Sequence, residues 1–492
     1  MRIESYTLHR TKPAHPWLQS IHTAFVLGRT TPLLDDVLHR LKRRFEKLGH
    51  TVQENPDDRT GAIITTAPFG ENLNWRDSLL FTYRGRYRIC HSPAVISLMH
   101  IRPAEFQTLL ERFKIALAKE PPAPADFVFP GLAPDAHRVL IEQGRRGGPV
   151  LSLERLLQAQ AKCLRIILVV GDDHPLRAYH FDLVGAYPQS DASDLDAFYT
   201  DIVLRIVTAV STGEVTDHEV LPDPLPRATW DSLTTPEAMR IAGQELGKRN
   251  FFTEMVSIPA LVKVPQIAGA VASQYSEGCF ATCDRELNAL IATVTGSARP
   301  VDKGRITEDD LAVIIGMRPD RKGAIVRQVE GKRNDPPSSE AVEMIDMDNS
   351  LPRMKLSDQW AVPVEVPVVR SKLHGHRGIS MYNPTLVEFV PLDEPYYHYP
   401  VSCATEAQAR GIKRAFSRSV ALRNQDDPRR VVFTILPGHG CVIVEKWNAG
   451  KAPFQTIWEY MDAGHLKVEN RIPQGVLEFV PLPGGRLSIR SK

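Results

Sequence analysis

Between residues 24 and 170 the chain alternates short apolar runs with helical stretches, and this alternation restricts its fold more than any other feature. Ala24 to Gly28 is a short buried-type strand. Thr31 to Leu48 then places Leu34, Val37, Leu38 and Leu41 at helical spacing, with Gly49 where a C-terminal cap belongs. Gly61 to Ala67 is a second strand, ended by Pro68-Phe69-Gly70, and Pro103 to Lys119 reads as a helix. Another helix, Ser152 to Ala161, leads into the apolar strand Cys163 to Val170. Strands separated by helices pair in parallel, because each helix carries the chain back to start the next strand. The expected class is therefore a doubly wound α/β sheet.

At 492 residues one hydrophobic core cannot serve the whole chain. The Pro-rich Pro121 to Pro124 suits a linker or an extended crossing, so we expect an N-terminal α/β domain over 1–150. A second α/β domain over 151–355 includes helices at Phe198 to Ser211 and Thr235 to Leu246. Beyond about residue 300 the texture changes. Gly331 to Ser339 is a polar loop, and short β-branched runs follow at Val362 to Val369, Leu386 to Val390, Val431 to Ile435, Cys441 to Val444 and Val476 to Val480. With one helix near Thr405 to Ser419, this spacing predicts a β-rich domain over 356–492, a barrel or sandwich.

Charge and motifs exclude several function classes. Sixty Lys and Arg against 58 Asp and Glu leave a net charge of +2, too small an excess to predict a nucleic-acid or membrane-surface partner. No apolar run has the length of a membrane span, and Met1 to Tyr6 has no leader pattern, so the cytoplasm is expected. Six scattered cysteines do not make a disulfide scaffold, and Cys279 and Cys283 lack the second pair of a zinc site. Glycine-rich nucleotide loops are missing, so neither NAD nor ATP is expected.

The candidate site residues are acidic and imidazole groups. Glu277 and Asp284 flank the small-residue segment Gly278 to Cys283, and Asp284 opens an expected helix to Val294 that Thr295-Gly296 closes. Asp302 follows in a polar loop. If a strand intervenes, Glu277 and Asp302 meet at adjacent strand ends, where open α/β sheets bind ligands. Lys372-Leu373-His374-Gly375-His376-Arg377 is the strongest metal or phosphate candidate: two histidines one residue apart on a strand share a face. Lys372 and Arg377 add cations for an anionic or hydroxylated substrate. His439, in a Gly-flanked turn after a strand, is a further candidate, whereas His398 lies in the aromatic run Tyr396 to Tyr399, which suits packing or subunit contact.

Together, Phe251 to Ile258 as a strand, Val264-Pro265-Gln266 opening a helix, Glu277, Thr295-Gly296, Asp302 and the later histidines resemble the L-fucose/L-arabinose isomerase superfamily. The resemblance is clearest over about residues 250–305. It implies two Rossmann-like domains followed by a β-barrel-like C-terminal domain, and a homo-oligomer. It also implies a divalent metal, Mn²⁺, held by Glu277, Asp302 and a histidine, for which His374 and His376 are the candidates and His439 the reserve. The implied reaction interconverts an aldose and a ketose through an ene-diol. A metal-dependent aldolase or lyase, or a non-catalytic sugar-binding protein, are the alternatives on such a scaffold.

Overall fold

The computed structural model describes residues 19–68, 95–119, 165–181, 186–190, 194–211, 217–252, 276–296, 301–356, 364–393 and 404–469, less two single positions, with a strand pair at 477–482 and 486–491 and a few isolated residues. Four expected features lie outside the described residues: the 121–124 crossing, the 152–161 helix, the 253–266 segment and the 394–403 aromatic run. Among the described residues no helix is long and apolar enough to cross a membrane.

The chain is a mixed α/β protein with several sheets. The first contains β1 (His22–Phe25), β2 (Thr51–Gln53), β3 (Thr60–Pro68), β4 (Val95–Ile101), β5 (Arg165–Val170), β6 (Arg177–Phe181) and β7 (Ala186–Ser190). Their order is β2-β1-β3-β4-β5-β6-β7. The first five run parallel, as the alternation requires, and β6 and β7 are antiparallel additions. Helix α1 (Pro32–Lys47) begins where Thr31 Oγ1 accepts from the Leu34 amide, with Pro32 pre-set at the first position. It buries Leu34, Val37, Leu38, Leu41 and Phe45, and packs with α3 (Leu195–Ser211) on this sheet; α2 (Pro103–Ala118) follows β4. Because β5 pairs with β4, this sheet crosses the boundary expected at 150/151.

A second, nine-stranded sheet carries the candidate site. In chain order it uses β8 (Glu219–Val220), β9 (Cys279–Asp284), β10 (Ala289–Thr293), β11 (Leu311–Met317), β12 (Ala324–Arg327), β15 (Val369–Gly375), β17 (Val387–Phe389), β18 (Val431–Leu436) and β19 (Gly440–Lys446). The spatial order is β17-β18-β19-β15-β9-β10-β11-β12-β8, antiparallel except at the two outermost pairs. Short pairs lie outside it: β13 (Arg353–Leu356) with β14 (Val364–Pro367), β16 (Ile379–Met381) with β20 (Leu466–Val468), and β21 (Leu477–Leu482) with β22 (Arg486–Ser491).

Helices cover both faces of the large sheet. Helices α4 (Arg227–Ser232), α5 (Thr235–Lys248) and α9 (Gln455–Asp462) enclose a core with Phe280, Leu373 and Ile443. On the other face α6 (Ser339–Asp348), α7 (Glu406–Ser417) and α8 (Val420–Arg423) pack over Cys279, Ala281, Val442 and Val444. Strands buried on both faces lose the polar alternation of a half-exposed strand, which is why β9, β18 and β19, buried at every position, read as mostly apolar runs.

Two expectations change here. Strands of 279–327 and 369–446 share one open sheet, so no break falls at 355/356 and these strands do not close a separate barrel. The expected helix from Asp284 to Val294 is instead the β9–β10 hairpin. Asp284 Oδ1 accepts from the amides of Glu286 and Leu287, both at 2.9 Å. A helix N-cap makes the same kind of bond, so the turn residue mimics a helix start. The apolar run after it suits a doubly buried strand as well as a buried helix.

Candidate metal centre

The centre sits on the α6/α7 face of the large sheet. His374 ends β15, directly across from Cys279 of β9 and Val442 of β19, and cross-strand partners share a face. His376 follows one residue beyond the strand, and His439 lies in the turn between β18 and β19. Gly375 separates the first two histidines for a steric reason: a Cβ there would lie 2.5 Å from the Phe251 ring. The three imidazoles form a near-equilateral cluster, with centroids 5.0 Å (His374–His376), 4.8 Å (His374–His439) and 4.9 Å (His376–His439) apart.

Glu340, in the first turn of α6, completes the group. One ligand atom from each of Glu340, His374, His376 and His439 lies within 4.8 Å of all the others, an arrangement that could hold a metal ion. All four members of the cluster are buried, although Glu340 as a whole residue keeps some exposure. The Ser338 hydroxyl donates to Glu340 Oε2 at 2.6 Å and steadies that carboxylate.

What each ring does with its outer nitrogen sets what its inner nitrogen can do. His374 Nδ1 lies 3.0 Å from the Cys441 carbonyl, which only accepts, so Nδ1 carries the proton. Gln408 Nε2 donates to Glu343 at 2.8 Å, turning Oε1 toward His439 Nδ1 at 3.2 Å, which must then donate. Glu277 Oε2 lies 3.2 Å from His376 Nδ1, at ion-pair distance though not aligned as a hydrogen bond. The Cys441 carbonyl and Gln408 Oε1 place the ring protons of His374 and His439 on Nδ1 and leave a bare lone pair on each Nε2, while the charge of Glu277 favours the same tautomer of His376. His374 Nε2 is buried with no hydrogen-bond partner, and the Nε2 atoms of His376 and His439 face each other at 3.3 Å. With His376 in the tautomer that Glu277 favours, two lone pairs face each other there, and a cation between them would relieve the repulsion. Ligands on ~2.1 Å bonds at a tetrahedral ion are about 3.4 Å apart, so the spacing fits.

The charge states agree. Burial, and then the neighbouring His376, holds the His374 pKa down at about 4, so the ring is neutral near pH 7, as a ligand must be. Glu343 is fully buried, and burial followed by the charge of Glu340 pushes its carboxyl well above the usual range. It accepts from Gln408 and from the Thr405 amide, each at 2.8 Å, and so anchors the chain Glu343–Gln408–His439 from behind. Replacing Gln408 by Leu removes the acceptor that orients His439. We expect a 10- to 100-fold loss of divalent-metal affinity, roughly what outer-shell partners contribute, read by titration with Co²⁺ absorption; affinity equal to the native chain's would contradict the relay.

No protein-family model, curated protein or solved structure matches the chain. The site therefore rests on its own geometry.

The structure unites His374, His376 and His439, which the sequence reading offered as alternatives, and sets Glu277 behind His376. Asp302 is a correction. Its side chain is 56% exposed, it accepts from the Gly304 amide as the cap of a short turn, and it is not part of the cluster. Lys372, expected to meet substrate, shares the His374 face of β15 but is fully buried, with Nζ 2.8 Å from Asp348 at the end of α6. Arg377 is also buried, next in the chain to His376. Glu340 and Glu343 were missed because no helix was expected after the Gly331 to Ser339 loop, and Gln408 because its helix was read without a link to the histidines. Ser338-Ser339-Glu340 before the apolar Ala341-Val342 was the available signal, a helix start with an acid in its first turn.

Proposed function

We propose that this chain is a metal-dependent enzyme in which His374, His376, His439 and Glu340 hold one divalent ion, Mn²⁺ in our reading, and that it interconverts an aldose and a ketose. One observation carries the reading: three buried imidazoles and a carboxylate bring ligand atoms within 4.8 Å of one another, with the Nε2 atoms of His374 and His439 unprotonated. Nitrogen and carboxylate donors suit Mn²⁺, Fe²⁺, Co²⁺ and Zn²⁺, and an ion held here would polarise the oxygens of an open-chain sugar brought beside the cluster.

When bound, the ion supplies a Lewis acid that polarises the substrate carbonyl. Glu340, the carboxylate of the cluster, would take the proton from the hydroxyl-bearing carbon and return it to the former carbonyl carbon. A hydroxyl proton passes between the two substrate oxygens, so the product has the mass of the substrate. Glu277 and the Glu343–Gln408 pair orient His376 and His439. The test is incubation of Mn²⁺-loaded chain with a panel of aldoses and ketoses, analysed by chromatography and mass. An isomer of unchanged mass, absent from the His376→Ala variant, is expected. Cleavage fragments would assign the aldolase reaction instead, and no turnover by the metal-loaded chain would contradict an enzyme acting on sugars.

A further inference from the structure

A second feature of the large sheet is not used by this centre. Where the β9–β10 turn meets the chain after β19, a cleft of about 470 Å³ is lined by Asp284, Arg285, Arg370, Trp447, Asn448 and Lys451, among others. Its basic groups differ in how they are satisfied. Lys451 Nζ is paired with Glu459, at 2.8 and 2.9 Å. Asp284 is used internally, its Oδ2 accepting from the Thr235 hydroxyl and its Oδ1 from the turn amides. Glu286, also on the wall, is exposed.

Arg370 is the exception. Its Nη1 donates to the Lys451 carbonyl at 2.6 Å, and its guanidinium lies 4.8 Å from the centre of the Trp447 ring. Among the described residues no carboxylate pairs with it, and Nε is buried without an acceptor. The nearby Glu445 has its oxygens turned to the Ser371 hydroxyl and the Phe454 and Thr456 amides. Burial, together with the charge of Arg285, lowers the Arg370 pKa, so a bound anion would relieve this guanidinium. Trp447 and the Lys451 carbonyl hold the guanidinium plane in place, and Nη2, neither bonded like Nη1 nor buried like Nε, is the donor left to meet an oxyanion.

We propose that this cleft is a binding site for a small oxyanion, the phosphate or carboxylate group of a metabolite, held by the Arg370 guanidinium through Nη2. The site is separate from the metal centre and independent of its chemistry. Calorimetric titration of the full-length chain at constant ionic strength tests it, with inorganic phosphate and malonate as probes. We expect at least one probe to bind with a Kd in about the millimolar range, and the one that binds more tightly identifies the oxyanion. Binding should weaken at least tenfold in Arg370→Gln. Asn448→Asp, which puts a carboxylate on the part-exposed cleft wall without touching Arg370, should weaken it similarly and carries the test if Arg370→Gln does not fold. No binding of either probe at about 10 mM, or native affinity in both variants, overturns the proposal.

Discussion

In the His374→Ala variant, affinity for Mn²⁺ or Co²⁺ is expected to fall by more than about a hundredfold, beyond the loss that an outer-shell partner alone produces. His374 Nε2 is the buried nitrogen with no partner, and its Nδ1 is fixed by the Cys441 carbonyl, so this ring is committed to the cluster from both sides. Removing it leaves His376 and His439 with Glu340, and a void where an imidazole stood. The paired control is Asp302→Ala. Asp302 lies on an exposed turn outside the cluster, so this variant should bind metal like the native chain. Equal affinity in His374→Ala and native protein, with far-UV circular dichroism confirming the fold, would remove His374 from the centre. A large loss in Asp302→Ala would restore the ligand set that the sequence alone suggested.

The second large effect is expected from one methyl group. A Cβ on Gly440 would lie 1.9 Å from the Gly375 carbonyl oxygen and 2.8 Å from the His376 Cα, both backbone atoms that no side-chain rotation can move. Gly440 also pairs with Leu436 and follows His439, so it anchors the β18–β19 turn against the segment bearing His374 and His376. Gly440→Ala must therefore push two chain segments apart where three ligands converge. We expect destabilisation of about 3 kcal/mol, the upper range for overpacking a close-packed interior, seen as a lower urea midpoint, together with weakened metal binding. An unchanged midpoint would show that this contact is loose.

Much of the first sheet was legible in the sequence because its signals are local. The helix over 32–47 follows from Leu34, Val37, Leu38 and Leu41, with Thr31 and Pro32 at its start and Gly49 beyond its end. The histidines were visible as a chemical type within a short span. Convergence of His374 and His376 with His439 depends on β15 pairing with β19, a contact across 63 residues that no local pattern encodes. The hairpin at Asp284 was misread because a doubly buried strand and a buried helix have the same apolar texture. Asp302 was chosen for spacing along the chain, whereas Glu340 is brought to the histidines by α6 crossing the sheet face. A ligand set gathered from a strand, two turns and a helix is a property of the packing.

Elemental analysis of the full-length native chain, purified without chelator and then dialysed, tests the metal centre most directly. The structure predicts close to one tightly held divalent ion per chain, lost when His374 or His376 is replaced and kept when Asp302 is. No retained metal, even after incubation with Mn²⁺, Co²⁺ or Zn²⁺, would mean that the three histidines form a structural cluster rather than a metal centre.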